Sequence, residues 1–193
     1  LFDNARSLLQ KIIADKSITA RAVYGFWPAA RDGDEVVLYR DESRDDELLR
    51  FPMLRQQLAK DASEPLRSLA DFVAPKGSGV KDYVGAFAVT TGHGLDEIVK
   101  RYKAEHDDYN AILAEALADR LAEAFAEFLH KRVRNEWGFG RKEALSTDEL
   151  IAEKYRGIRP APGYPAQPEH TEKKTMFRLL NAKQRIGVEL TES

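Results

Sequence analysis

The chain has 193 residues, with 30 Lys and Arg against 32 Asp and Glu, a formal net charge of −2 and no cysteine. That length accommodates one sizeable core or two small ones, and the near-balance of charge offers no global basic field to recruit nucleic acid. The missing cysteines exclude disulfides and thiol chemistry and fit a cytoplasmic setting, and no apolar run approaches the roughly 20 residues of a membrane span.

Residues 1–16 place Leu1, Ala5, Leu8, Leu9, Ile12 and Ile13 on one stripe at helical spacing, which predicts an amphipathic helix. Ala22–Pro28 and Glu35–Arg40 read as strands joined through Asp32-Gly33-Asp34, a hairpin signal. A charged connection follows over 41–46. Pro52 suits the first turn of a helix over 53–58, and 60–68 is polar and loop-like. Leu69–Val73 is short and apolar, 75–79 is a flexible turn, and Tyr83–Thr90 reads as a buried strand with small residues at Gly85, Ala86 and Ala88. Thr91–Gly94 turns the chain into a helix-rich stretch over 95–133. Its core face is expected to carry Leu113, Leu117, Leu121, Ala124, Phe125 and Phe128, and Trp137–Gly140 ends it. A shorter helix over 147–155 has Ser146 or Thr147 as its cap and Glu149 placed for a capping box. Thr175–Leu180 reads as helical or irregular, and Arg185–Leu190 as a last strand. The pattern predicts a mixed α/β (α+β) domain with an antiparallel sheet flanked by helices. The chain opens in mid-helix pattern with no signal peptide, and it reads as a piece cut at both ends from something longer.

Residues 155–173 form the most distinctive stretch: Pro160, Pro162, Pro165 and Pro168 stand among Gly157 and Gly163. Proline fixes φ, donates no backbone hydrogen bond and pushes its predecessor towards extended geometry, so this is a stiff, extended loop with one flexible point at Gly163. Such a loop has surrendered much of its entropy before anything binds. Within it Arg159 offers a planar fork for a carboxylate or phosphate, and Tyr164 a ring face and a hydroxyl. A proline-rich surface turn has the same composition.

Elsewhere the chemistry is weaker. Asp119 and Glu123 share a helix face as a pair of carboxylates suited to acid–base work or a cationic ligand, although Arg120 and Lys131 make an ordinary solvated face an equal description. Glu105–Asp108 has metal-ligand residue types without metal-ligand spacing, and no bound metal is expected. Gly92-His93-Gly94 precedes a helix but is followed by Asp96 and Glu97, which disfavour an anion. Lys131, Arg132 and Arg134 sit where cations offset a helix dipole, so no nucleic-acid partner is implied.

The run RGIRPAPGYPAQPEHTEK resembles the signature of the reactivation domain of cobalamin-dependent methionine synthase, whose core pattern Arg-x-x-x-Gly-Tyr falls on Arg159, Gly163 and Tyr164. Residues 69–97, 104–130 and 185–193 resemble the same family in the same order. The resemblance implies a C-shaped domain around a twisted antiparallel sheet. It implies binding of S-adenosylmethionine and delivery of its methyl group to cobalamin held on a neighbouring domain, with an electron from flavodoxin or a related flavoprotein. The parent enzyme of that family carries methyl from methyltetrahydrofolate to homocysteine. On this sequence Arg159 matches the ligand-binding arginine, paired with the methionyl carboxylate, and Gly163 and Tyr164 complete the motif. Backbone around Pro160, Ala161 and Pro162 lines the adenosine. Glu123 matches a helix glutamate near the ligand's charged end, and Asp119 faces the cobalamin side. No catalytic side chain is implied, because a sulfonium methyl is already activated. The competing expectation from another class is a non-catalytic docking module for a flavoprotein or a cobalamin-binding domain.

Overall fold

A computed structural model describes residues 1–57 and 65–191. Four strands, β1 (Thr19–Asp32), β2 (Glu35–Tyr39), β3 (Glu47–Pro52) and β4 (Asp82–His93), form one antiparallel sheet in the order β3-β2-β1-β4. Six α-helices accompany them among the described residues: α1 (Phe2–Asp15), α2 (Leu95–Ala104), α3 (Asp108–Trp137), α4 (Thr147–Ile151), α5 (Glu172–Leu180) and α6 (Ala182–Ile186). The fold is α+β, as the sequence pattern implies. The chain divides into two compact units, one taking residues 1–23 and 88–152, the other the described residues of 24–87 and 153–193. No helix among the described residues is long and apolar enough to cross a membrane.

In the first unit the core gathers Leu8 and Ile12 of α1, Ile98, Val99 and Tyr102 of α2, and Ala111, Leu113 and Ala114 of α3. Each large side chain removed from water there contributes about 1.5–3 kcal/mol. The long helix starts where Asp107 accepts the Asn110 amide at 3.0 Å and stops at Gly138, whose φ of +109° continues no helix. Its buried face differs from the expected stripe. The first half buries Ala111, Leu113, Ala114 and Ala118, and the second half buries Leu129, His130, Val133 and Arg134. Between them Ala124 is exposed and Phe128 is 62% exposed, stacked on Phe125 at 6.3 Å. Thirty residues make a rod about 45 Å long, longer than the apolar cluster it packs on. Gly94 begins α2 with φ +96°, and a Cβ there would collide with the Ser17 carbonyl oxygen.

The second unit is built on the β1–β2 hairpin, which turns through Gly33-Asp34 between paired Asp32 and Glu35. Ala29, Val36, Leu38, Phe51, Met53, Ala70 and Val73 form its core, with Met176 and Leu179 of α5 packed against them. The charged connection folds back on this sheet: Arg44 donates at 2.7 Å to the carbonyls of both Ala29 and Asp82, its guanidinium lying over the rings of Tyr39 and Tyr83. At the far end Arg50 joins Asp32, Glu35 and Glu47, and with Lys76 it holds the exposed Glu47 carboxyl down to about 2.

Several local expectations fail for physical reasons. Pro52 closes β3 instead of opening a helix, because Glu47–Pro52 pairs with β2, and 53–57 carry no helix. Residues 58–64, part of the helix and loop expected there, lie outside the described residues. The strand read over Tyr83–Thr90 runs on to His93 and is half-buried, so only Gly94 makes the turn. The short helix after Ser146 has the expected capping box but ends at Ile151. No strand forms over Arg185–Leu190, since α6 reaches Ile186 and Gly187 ends it at φ +69°.

Two glycines with similar positive φ separate conformational strain from collision. Gly77, at φ +81° with nothing within 4 Å, should lose about 1–2 kcal/mol as Gly77→Ala. Gly94→Ala adds the Ser17 overlap, which only backbone movement relieves, and should cost at least ~3 kcal/mol in a thermal or urea melt.

Candidate functional site

The proline stretch lies in the second unit as an irregular loop leading into α5. Four prolines remove donors from its backbone, and three of the remaining amides are spent within the loop itself. The Gly163 amide donates to Gln167 at 2.8 Å, Tyr164 to Ala161 at 3.0 Å and Gln167 to Tyr164 at 2.9 Å. These bonds close a tight turn over Tyr164–Gln167 with Pro165 at its second position, where a fixed φ near −65° is favourable. The Leu69 amide donates to Ala166 at 2.9 Å and ties the turn to the 3-10 segment Leu69–Phe72.

Side chains sort themselves along this frame. Arg159 and Pro160 are half-buried, Ala161 is exposed, Pro162 is buried, and Tyr164 stands out at 65% exposure. Gln167 is buried at the base. Gly163 has φ +99°, and a Cβ on it would collide with the His170 imidazole. The glycine of the motif is thus required twice, by its backbone angle and by the ring packed against it. Nothing local in the sequence ties His170 to Gly163, and no spacing rule marks Gln167 as the buried base of the turn.

The start of α5 places two carboxylates near the loop in sequence. Glu169 accepts the Thr171 amide at 2.8 Å, which lowers its pKa. Glu172 is 7% exposed, and burial pushes its carboxyl above the ordinary range, partly offset by a hydrogen bond from Thr175.

In the first unit, Asp119 and Glu123 are both exposed on α3. Glu123 accepts a 2.7 Å hydrogen bond from Arg120, and with side chains 67% and 77% exposed this pair contributes at most ~1 kcal/mol. A ligand cation could therefore displace Arg120 cheaply. Asp107, in the acidic run once considered for metal, is spent as a helix cap, and among the described residues no group of three metal-ligand side chains assembles. Two cations of the basic cluster at the end of α3 are paired: Arg134 is buried against Glu143, and Arg132 pairs with Glu136 at 2.9 Å.

The arrangement offers no poised nucleophile and no base held against one. What it offers is positioning: a half-buried guanidinium, a rigid backbone edge and an outward aromatic ring. Comparison with known proteins bears on what is positioned. The family model described as "Vitamin B12 dependent methionine synthase, activation domain" matches residues 1–193. A crystal structure of the MetH reactivation domain bound to AdoHcy matches with a TM-score of 0.91 and 53% sequence identity, covering 99% of this chain and 59% of that one. The chain thus spans about three fifths of that relative's length.

Two outcomes test the geometry of the loop. Gly163→Ala should destabilise by more than the roughly 1–2 kcal/mol of its backbone angle, and His170→Ala in the same chain should recover the excess, giving a coupling of about 1 kcal/mol in a denaturation cycle. Glu172 binds its proton more tightly folded than unfolded, so its contribution makes stability fall as pH rises from its ordinary 4.5 into the raised range. Glu172→Gln should remove that limb and raise the Tm at pH 7 while leaving it little changed at pH 4.

Proposed function

The chain belongs to the activation-domain family of vitamin B12-dependent methionine synthases, and on that premise we propose that it binds S-adenosylmethionine and presents the methyl group to cobalamin during reductive reactivation. The observation that carries this reading is the AdoHcy bound in a relative 53% identical over nearly the whole of this chain. AdoHcy is what S-adenosylmethionine becomes when its methyl group leaves and the sulfur keeps the electron pair of the broken C–S bond.

The loop suits such a ligand on its own chemistry. The planar fork of Arg159 matches a carboxylate at two points, which lysine cannot do. Pro160 and Pro162 have carbonyls but no N–H, so the edge between them is rich in acceptors for an exocyclic amine. The Tyr164 ring supplies an apolar face beside the turn that Gly163 makes possible. The family resemblance, rather than any distance, assigns Glu123 to the ligand's charged end and Asp119 to the cobalamin side. When bound to a neighbouring domain, cobalamin supplies the electron-rich centre that takes the methyl group, after an electron delivered by flavodoxin or a related flavoprotein. The residues of this chain hold the sulfonium in place and keep its substituents oriented, and the activation is already present in the positive sulfur.

Calorimetric titration of S-adenosylmethionine and AdoHcy tests the reading. Both should bind. Arg159→Ala should weaken each by about 10- to 150-fold, the equivalent of a hydrogen-bonded charge pair, with an unchanged circular dichroism spectrum. Glu123→Gln should weaken the sulfonium form more than the thioether form. Undiminished affinity in Arg159→Ala would remove the assignment.

A further inference from the structure

We propose that Arg55 and Asp71 are positioning residues for the Arg159–Tyr164 loop, acting on it through the Leu69 amide; this rests on the ligand-binding reading above. The loop's internal hydrogen bonds set its shape, but they do not set where it stands. That is done by the bond from the Leu69 amide to Ala166, two residues beyond Tyr164. Leu69 is the first residue of a 3-10 turn, so the direction of its N–H depends on how that turn begins.

The turn begins on a closed set of hydrogen bonds. Ser68 is fully buried, and its hydroxyl accepts the Ala70 amide at 3.2 Å and donates to the Met53 carbonyl at 3.2 Å. Its own amide donates to Asp71 at 2.9 Å. Asp71 is gripped at both oxygens by Arg55, at 2.6 and 2.9 Å, and the same guanidinium donates to the Leu66 carbonyl at 2.9 Å and reaches Asp34 at 3.3 Å. Beside it the Gln56 amide donates to Arg67 at 2.9 Å, and Met53 to Asp34 at 2.9 Å. Arg55 thus connects the chain leaving β3 to the start of the turn that holds the loop.

The signature that separates positioning from ordinary stabilisation follows from exposure. The Arg55 and Asp71 side chains are 37% and 35% exposed, so screening leaves them little weight in global stability. Their leverage falls on the orientation of one amide. Arg50 is the matched control: it is 36% exposed, in the same unit, and engaged with three carboxylates that do not bond the loop.

The test combines two readouts on Asp71→Asn, Arg55→Ala and Arg50→Ala. In the chain without ligand, amide exchange at Leu69, Gly163 and Gln167 should accelerate roughly fivefold to tenfold in the first two variants and stay at the wild-type rate in the third. AdoHcy affinity by calorimetry should fall by a similar factor in the first two, with Arg55→Lys intermediate, and remain unchanged in Arg50→Ala. Wild-type exchange rates in Asp71→Asn, or an equal loss of affinity in Arg50→Ala, would overturn the proposal. If the wild-type chain binds no AdoHcy, the ligand reading falls, and the exchange rates still decide whether Arg55 and Asp71 hold the loop.

Discussion

A backbone with four prolines between residues 160 and 168 cannot hold itself up. Each proline withdraws an amide donor, so the segment joins no ladder and forms no helix, and it keeps one geometry only if neighbouring groups over-determine it. In this molecule they do. The amides of Gly163, Tyr164 and Gln167 close the turn, the His170 ring fills the space beside Gly163, and Leu69 supplies a donor from elsewhere in the unit. Much of the architecture of the second unit serves that purpose. The segment after β3 carries Arg55, and the 3-10 turn carries the tether. Stiffness costs the loop hydrogen bonds and gives it a preformed edge, so a ligand has little ordering left to impose.

The first unit solves a different problem. Its core is apolar and local, made where α1 and α2 meet the first half of α3, and its polar groups are mostly spent on caps and pairs. The helix then runs past that core and carries Asp119, Glu123 and the Phe125–Phe128 stack with it. Length alone brings these side chains out of the packed region while a continuous backbone hydrogen-bond ladder keeps them in register.

What could be read from the sequence follows the range of the interactions. The hairpin turn at Gly33, the capping box at Ser146 and the Gly138 stop are each dictated within a few residues, and each stands where the pattern put it. Motif recognition reached further, since the Arg159–Tyr164 spacing fixed the family that the whole-chain match bears out. The failures share one cause. Pro52 reads as a helix start because its pairing with Glu35 is invisible locally, and Phe128 reads as core because a helical stripe does not say how far the core extends. Arg44 looked like one charge among many, yet it braces two strands. The contact of His170 with Gly163 and the bond from Leu69 to Ala166 join positions that no spacing rule connects.

The bond between Leu69 and Ala166 also has a consequence for how the protein is made. Its donor is synthesised long before its acceptor, with β4, α2, α3 and α4 all lying between them in the chain. As the nascent chain leaves the ribosome, the hairpin and the 3-10 turn have time to form while the acceptor is still untranslated, and the first unit's core is complete by then as well. The proline loop thus emerges late, after the hairpin and the 3-10 turn, and α5 follows it to bring Met176 and Leu179 onto the second core. The Leu69 amide waits through the synthesis of β4, α2, α3 and α4 for the acceptor that tethers the loop.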